Sequence, residues 1–151
     1  MSDLDSAVAR ALNHGGSATR VAVMGFCRGG RQSWLYAAHS PHLRVAVAFY
    51  GPLGGVTSPI QPRSALDVAA LIKCPMLGFY GGQDAGIPVD VVRQAEAKAK
   101  AAHKTIDIVI YSDAPHGFHA DYRPSYRQAD AEDAWKRTLA WFHRFGVRPA
   151  G

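Results

Sequence analysis

Val21-Ala22-Val23-Met24-Gly25-Phe26-Cys27-Arg28-Gly29-Gly30 is the stretch on which the reading of this chain turns. Its apolar start, Val21 to Met24, predicts a strand. The segment from about Arg28 to His39 contains no proline and stops before Ser40-Pro41, which predicts a helix. Between the two, the chain has to turn sharply at Cys27. A residue at the apex of such a turn is held in a strained backbone conformation, and side chains two positions to either side would collide. Gly25 and Gly29 clear that space. The turn lifts the Cys27 sulfur above the sheet at a helix N-terminus, where backbone N–H groups and the helix dipole favour a thiolate. An isolated cysteine is more often buried and inert; the flanking glycines place Cys27 as a nucleophile instead.

A thiol nucleophile needs a base and an acid that orients the base, and a turn of this type expects them in the order nucleophile, acid, histidine. Asp84 lies in Gly81-Gly82-Gln83-Asp84, directly after the apolar run Met76 to Tyr80. His116 lies in Asp113-Ala114-Pro115-His116-Gly117-Phe118-His119, after the run Ile106 to Tyr111. Both follow strand ends, where open α/β sheets place their chemistry. Two alternatives stay open: Asp84 as a cap for the helix starting near Pro88, and His119 as the base or as half of a metal pair. A zinc site takes three or four ligands, and no other His or Cys spacing here cooperates. Tyr50, at the end of the run Val45 to Tyr50, can line a pocket above Cys27.

The G-x-C-x-G-G turn, the G-G-x-D loop and the H-G-F segment before a final helix resemble, in order and spacing, the dienelactone hydrolase family of α/β-hydrolases. The resemblance runs over nearly the whole chain. It implies a hydrolase of ester or lactone bonds with Cys27 as nucleophile, His116 as general base, Asp84 as the orienting acid and the Arg28 N–H in the oxyanion hole. It implies no cofactor and no metal, and a small-molecule ester or lactone as substrate. The archetypal lactonase carries an arginine where this chain has Ala120; Arg123, on the same loop, is the candidate for binding a substrate carboxylate, with ordinary surface charge the equal alternative.

The expected fold is α/β: one parallel sheet with flanking helices, a single, partial α/β-hydrolase domain over residues 1–151. Four strands are predicted, at about Val21–Phe26, Val45–Tyr50, Met76–Tyr80 and Ile106–Tyr111, about half of the complete fold. Members of the family are considerably longer, so the N-terminal strands are expected to be missing. The half left out would supply the second oxyanion N–H, whose loss typically costs about a hundred- to a thousandfold in rate. The first strand would then be an open apolar edge, a template for self-association into a homo-oligomer or for pairing with another chain. A catalytically weak or inactive half-domain that acts through such pairing is the alternative function.

Helices are predicted at about Leu4–His14, Val89–Ala102 and Arg127–Phe145. The inward faces carry Leu4, Val8, Ala11 and Leu12 in the first, Val89, Val92, Ala95 and Ala99 in the second, and Trp135, Leu139 and Phe142 in the third. Trp34, Trp135 and Trp141 read as core. Residues 51–70, rich in Gly and Pro, read as an irregular segment over the rim of the site. Hydrophobic residues make up 48% and charged residues 19%, a globular rather than disordered composition. No apolar run is long enough to span a bilayer and no signal segment opens the chain, so the expected compartment is the cytoplasm, with no membrane partner. Two cysteines fit a reducing compartment, with Cys74 as a buried filler. The net charge is +5, yet Arg10, Arg20, Arg28, Arg31, Arg44 and Arg63 are scattered singly, a poor footprint for nucleic acid.

Overall fold

Four apolar runs form one parallel sheet whose strand order repeats the order of the chain: β1 (Ala22–Phe26), β2 (Val45–Phe49), β3 (Met76–Gly81) and β4 (Ile106–Tyr111). The computed structural model describes residues 1–55 and 57–148. Helices α1 (Ser2–Asn13), α2 (Arg28–His39), α3 (Ala65–Val68), α4 (Val89–Ala101) and α5 (Gln128–Arg144) flank the sheet, and a 3-10 turn, Ala69–Leu71, extends α3. Every residue of β2 and β3 is buried, which is why both are continuous apolar runs rather than alternating ones. The register sets Phe26 beside Phe49 and Phe49 beside Phe79, so their rings stack across the sheet at 4.6 and 4.8 Å.

β1 is an edge strand. The Cys27 N–H donates to the Phe49 carbonyl and the Val21 carbonyl accepts from Arg44, so the odd-numbered residues of this stretch turn their backbone groups toward β2. By alternation, the N–H and C=O groups of Ala22, Met24 and Phe26 point to the open side. Val23 and Met24 are only half-buried, and Phe26 is exposed. Helix α1 has no buried residue, and Ala11 of its expected inward face is exposed; it leans on the rest through Leu4 and Val8 and through Asp5, which accepts from the Tyr36 hydroxyl at 3.0 Å and pairs with His39 at 2.8 Å.

The expected elements appear within one or two residues of their predicted ends, with three corrections. The segment 51–70 is not irregular throughout: Ser64 accepts from the Asp67 N–H, Asp67 accepts from the Ser64 N–H, and this reciprocal cap starts α3. Part of it, Ile60 to Arg63, lines a cleft of about 550 Å³ against α2 together with Gln32, Leu35 and His39, away from Cys27, Asp84 and His116. The inward face of α5 is Ala131, Ala134, Thr138 and Trp141; Trp135 and Leu139 are exposed. Small residues are what a helix needs to pack closely on a sheet, and the bulky stripe at i, i+4 lies to one side. In α4, Val89 is likewise exposed, while Val92, Ala95 and Ala99 are buried as expected.

Candidate active site

The turn between β1 and α2 is as tight as its glycines require. Cys27 has φ 52° and ψ −116°, a left-handed conformation costly for any residue with a Cβ. A Cβ on Gly25 would overlap the Gly29 backbone, as expected, and one on Gly30 would lie 2.7 Å from the Phe49 carbonyl oxygen, whereas a Cβ on Gly29 itself would meet open space, so the expected steric need for glycine there is not found. The strained turn is fixed on both sides: the Cys27 N–H donates to Phe49 at 3.0 Å and its carbonyl accepts from Arg31 at 3.1 Å. Arg28 is the first residue of α2, so its N–H belongs to the first turn, whose donors have no partner within the helix.

The other two groups come from loops that hold each other. The Gly82 N–H donates to Tyr111 at 2.7 Å and the Gln83 N–H to Ala114 at 3.0 Å. A Cβ on Gly81 would overlap the Ala114 carbonyl, and one on Gly82 would collide with Ser112. The loop after β3 therefore lies directly against the loop after β4, and Asp84 meets His116. Asp84 Oδ2 is 2.6 Å from His116 Nδ1, and His116 Nε2 is 3.3 Å from Cys27 Sγ. A carboxylate only accepts, so Nδ1 carries the proton and donates, and the Nε2 lone pair faces the thiol. Asp84 Oδ1 accepts from the Gly86 N–H at 3.0 Å. The carboxylate is thus buried with both oxygens engaged. It does not cap α4, which begins after Pro88 without a side-chain cap.

Cys27, Asp84 and His116 are therefore brought together, as the sequence predicted, and Tyr50 joins them. Tyr50 is buried, its ring centre lies 5.1 Å from that of His116, and burial pushes its phenol up to about 12, so the hydroxyl stays neutral. Arg123 is exposed, with its guanidinium 5.5 Å from the Tyr122 ring centre, and its charge acts on Tyr50. His119 does not reach the thiol's partners: its ring packs beside Phe26, Phe49 and Trp135, and burial lowers its pKa. Cys74 is buried and its thiol is pushed up to about 12. The sequence reading missed the role of Gly51, whose Cβ would overlap Gly30 and Arg31, and of the Gly81-Gly82 pair. The doublet directly before Asp84 was the available signal.

A parallel sheet, a cysteine at a left-handed strand-to-helix turn, and an acid and a histidine on successive strand ends define an α/β-hydrolase fold. The family model of the dienelactone hydrolase family matches residues 1–146, and the chain belongs to that family. It is 52% identical over 148 residues to a candidate carboxymethylenebutenolidase of Methylorubrum extorquens, covering 97% of this chain and 51% of the relative. Against a protein of the same name from Escherichia coli the identity is 47% over 146 residues, with 97% and 54% covered. The crystal structure of a candidate dienelactone hydrolase from Klebsiella pneumoniae superposes with a TM-score of 0.90 at 48% identity, covering 94% of this chain and 59% of that one. The chain spans about half the length of the curated relatives it matches.

Proposed function

We propose that this chain carries the catalytic machinery of a cysteine hydrolase acting on small ester or lactone substrates. The reading rests on one observation, the unbroken line of contacts Asp84–His116–Cys27 ending on a thiol in left-handed conformation. His116 Nε2 takes the proton from Cys27 Sγ, and the thiolate attacks the carbonyl carbon to give a tetrahedral oxyanion. The Arg28 N–H, at the positive end of α2, donates to that oxygen. Collapse expels the alkoxide, which His116 protonates, and leaves a thioester. Water, deprotonated by His116, hydrolyses the thioester and returns the thiol. Asp84 keeps the imidazole in the tautomer with its proton on Nδ1 and stabilises the imidazolium in each half-reaction. Tyr50 forms one wall of the site, and Arg123, on the loop after His116, is the proposed binder of a substrate carboxylate, its planar fork taking both oxygens.

Hydrolysis of p-nitrophenyl acetate by the wild type, Cys27→Ala and His116→Ala tests this reading. Wild type should show a burst of p-nitrophenol equal to the enzyme, and both variants should lose it. Turnover that survives in Cys27→Ala would exclude the thiol as nucleophile.

A second reading is favoured by the open edge of β1, with the outward backbone groups of Ala22, Met24 and Phe26 beside half-buried apolar side chains. On this reading the chain acts by association along that edge, with itself or with a second polypeptide. Sedimentation velocity over a wide concentration range discriminates: a mass fixed at that of the monomer argues against self-association.

A further inference from the structure

We propose that Tyr50 is a positioning residue for His116, its ring forming the wall that holds the imidazole in the plane joining Asp84 to Cys27. This deepens the triad reading above and rests on it. Asp84 grips only Nδ1, and one hydrogen bond leaves a ring free to tilt about the line between donor and acceptor. His116 has 36% of its side chain open to solvent, so burial alone does not stop that tilt. The Tyr50 ring stands 5.1 Å from the imidazole centre with the planes at 64°, an edge-to-face contact that blocks it.

Tyr50 is itself braced more heavily than a simple pocket wall requires. Its ring meets Phe118 at 5.3 Å and 73° and Phe49 at 6.3 Å and 74°. Its backbone has φ 37°, a region that bulky aromatic residues rarely occupy. Among the described residues, only Cys27, Tyr50 and His103 have positive φ without being glycine, and two of those three meet in this site. The conformation is forced from both sides. The Tyr50 N–H donates to the Phe79 carbonyl at 2.7 Å, and the next residue, Gly51, lies so close to Gly30 that no Cβ fits. The chain thus leaves β2 over the first turn of α2, and the left-handed step at Tyr50 is what swings the ring toward His116. Glycine or asparagine would relax the backbone there but would leave the imidazole without its wall.

The test compares wild type, Tyr50→Phe, Tyr50→Leu and His116→Ala without substrate and with it. Without substrate, the readout is the rate of Cys27 alkylation by iodoacetamide at about pH 7 divided by that at about pH 10, a ratio that cancels changes in access. Cys74 is buried with its thiol pushed up to about 12, so it does not contribute at neutral pH. The expected result is that Tyr50→Phe keeps the ratio and kcat within about twofold, while Tyr50→Leu lowers both about tenfold with KM changed less than about threefold. If Tyr50→Leu raises KM and leaves kcat and the ratio intact, Tyr50 is only a substrate wall and the proposal is wrong. If Tyr50→Phe falls as far as Tyr50→Leu, the hydroxyl acts and the ring does not, which also overturns it. Thermal melts identify a variant that fails to fold, and Tyr50→Met, ringless and of similar reach, then replaces the leucine. His116→Ala separates this failure from that of the triad: if it leaves the ratio at the wild-type value, the imidazole does not serve the thiol, whatever Tyr50 does.

Discussion

The two sides of the site are built to different standards. On one side, β2 and β3 are wholly buried, the loops after β3 and β4 touch backbone to backbone, and Asp84 has both carboxylate oxygens engaged. On the other, the thiol turn springs from β1, a five-residue edge strand with a half-buried face, and α1 is held nearby through Leu4, Val8 and a polar tie from Asp5 to α2. The acid and the base share a rigid frame. Among the described residues the strand that carries the nucleophile is paired on one side, and the geometry of the turn is secured by its own Gly25–Gly29 and Gly30–Gly51 contacts.

The sharpest way to break the rigid side is Asp84→Asn. The amide preserves the shape but can donate to Nδ1, which favours the wrong tautomer, and kcat should fall about a thousand- to ten-thousandfold with the fold intact. Steady-state kinetics on p-nitrophenyl acetate, with a melt as control, would show it; a loss below about tenfold would mean that Asp84 does not orient the imidazole.

Truncation within the sheet sharpens the contrast in packing. Phe49→Ala removes a fully buried ring from the centre of the cross-strand stack and should cost about 3–5 kcal/mol. Met24→Ala, in the half-buried edge strand, should cost about 1 kcal/mol. Urea unfolding of both variants measures the difference, and equal losses would show that β1 is as well supported as β2.

The smallest effect concerns α1. Hydrogen bonding from His39, with a smaller contribution from Tyr36, holds the Asp5 carboxyl below the usual carboxylate range. Because its pKa is lower folded than unfolded, the tie is complete above the ordinary carboxylate value and is lost as pH falls through the depressed one. Amide exchange in α1 should therefore accelerate as the pH drops below about 4, beyond the intrinsic trend, and Asp5→Asn should remove that step. No difference between wild type and Asp5→Asn would show that the pair contributes nothing to holding the helix.

Much of this was legible in the sequence. The strands are plain because buried parallel strands are continuous apolar runs, and the thiol turn is plain through Gly25, where no Cβ fits. Asp84 and His116 could be chosen because each follows such a run. What the sequence concealed depends on close approach between segments far apart in the chain. Gly51, Gly81 and Gly82 look like loop residues until the backbone they touch is known. The buried face of α5 was misread because Trp135 and Leu139 outweigh Ala131 and Ala134 in hydrophobicity, while the sheet selects for small side chains at short distance. The Ser64 cap escaped because its partner is Asp67 in place of the longer Glu or Gln that usually closes the box.

The agreement between strand order and chain order has a consequence for synthesis. As the ribosome delivers these strands, each one after β1 finds its neighbour already made, and none of the four has to be threaded between two earlier ones. Within this chain the site is assembled in the same direction: the thiol turn emerges with β1 and α2, the carboxylate after β3, the imidazole only after β4. The thiol therefore waits for its base until β4 and the loop after it have been made. Arrested nascent chains of increasing length should gain protease resistance strand by strand, yet become readily alkylated at Cys27 only once His116 has cleared the exit tunnel.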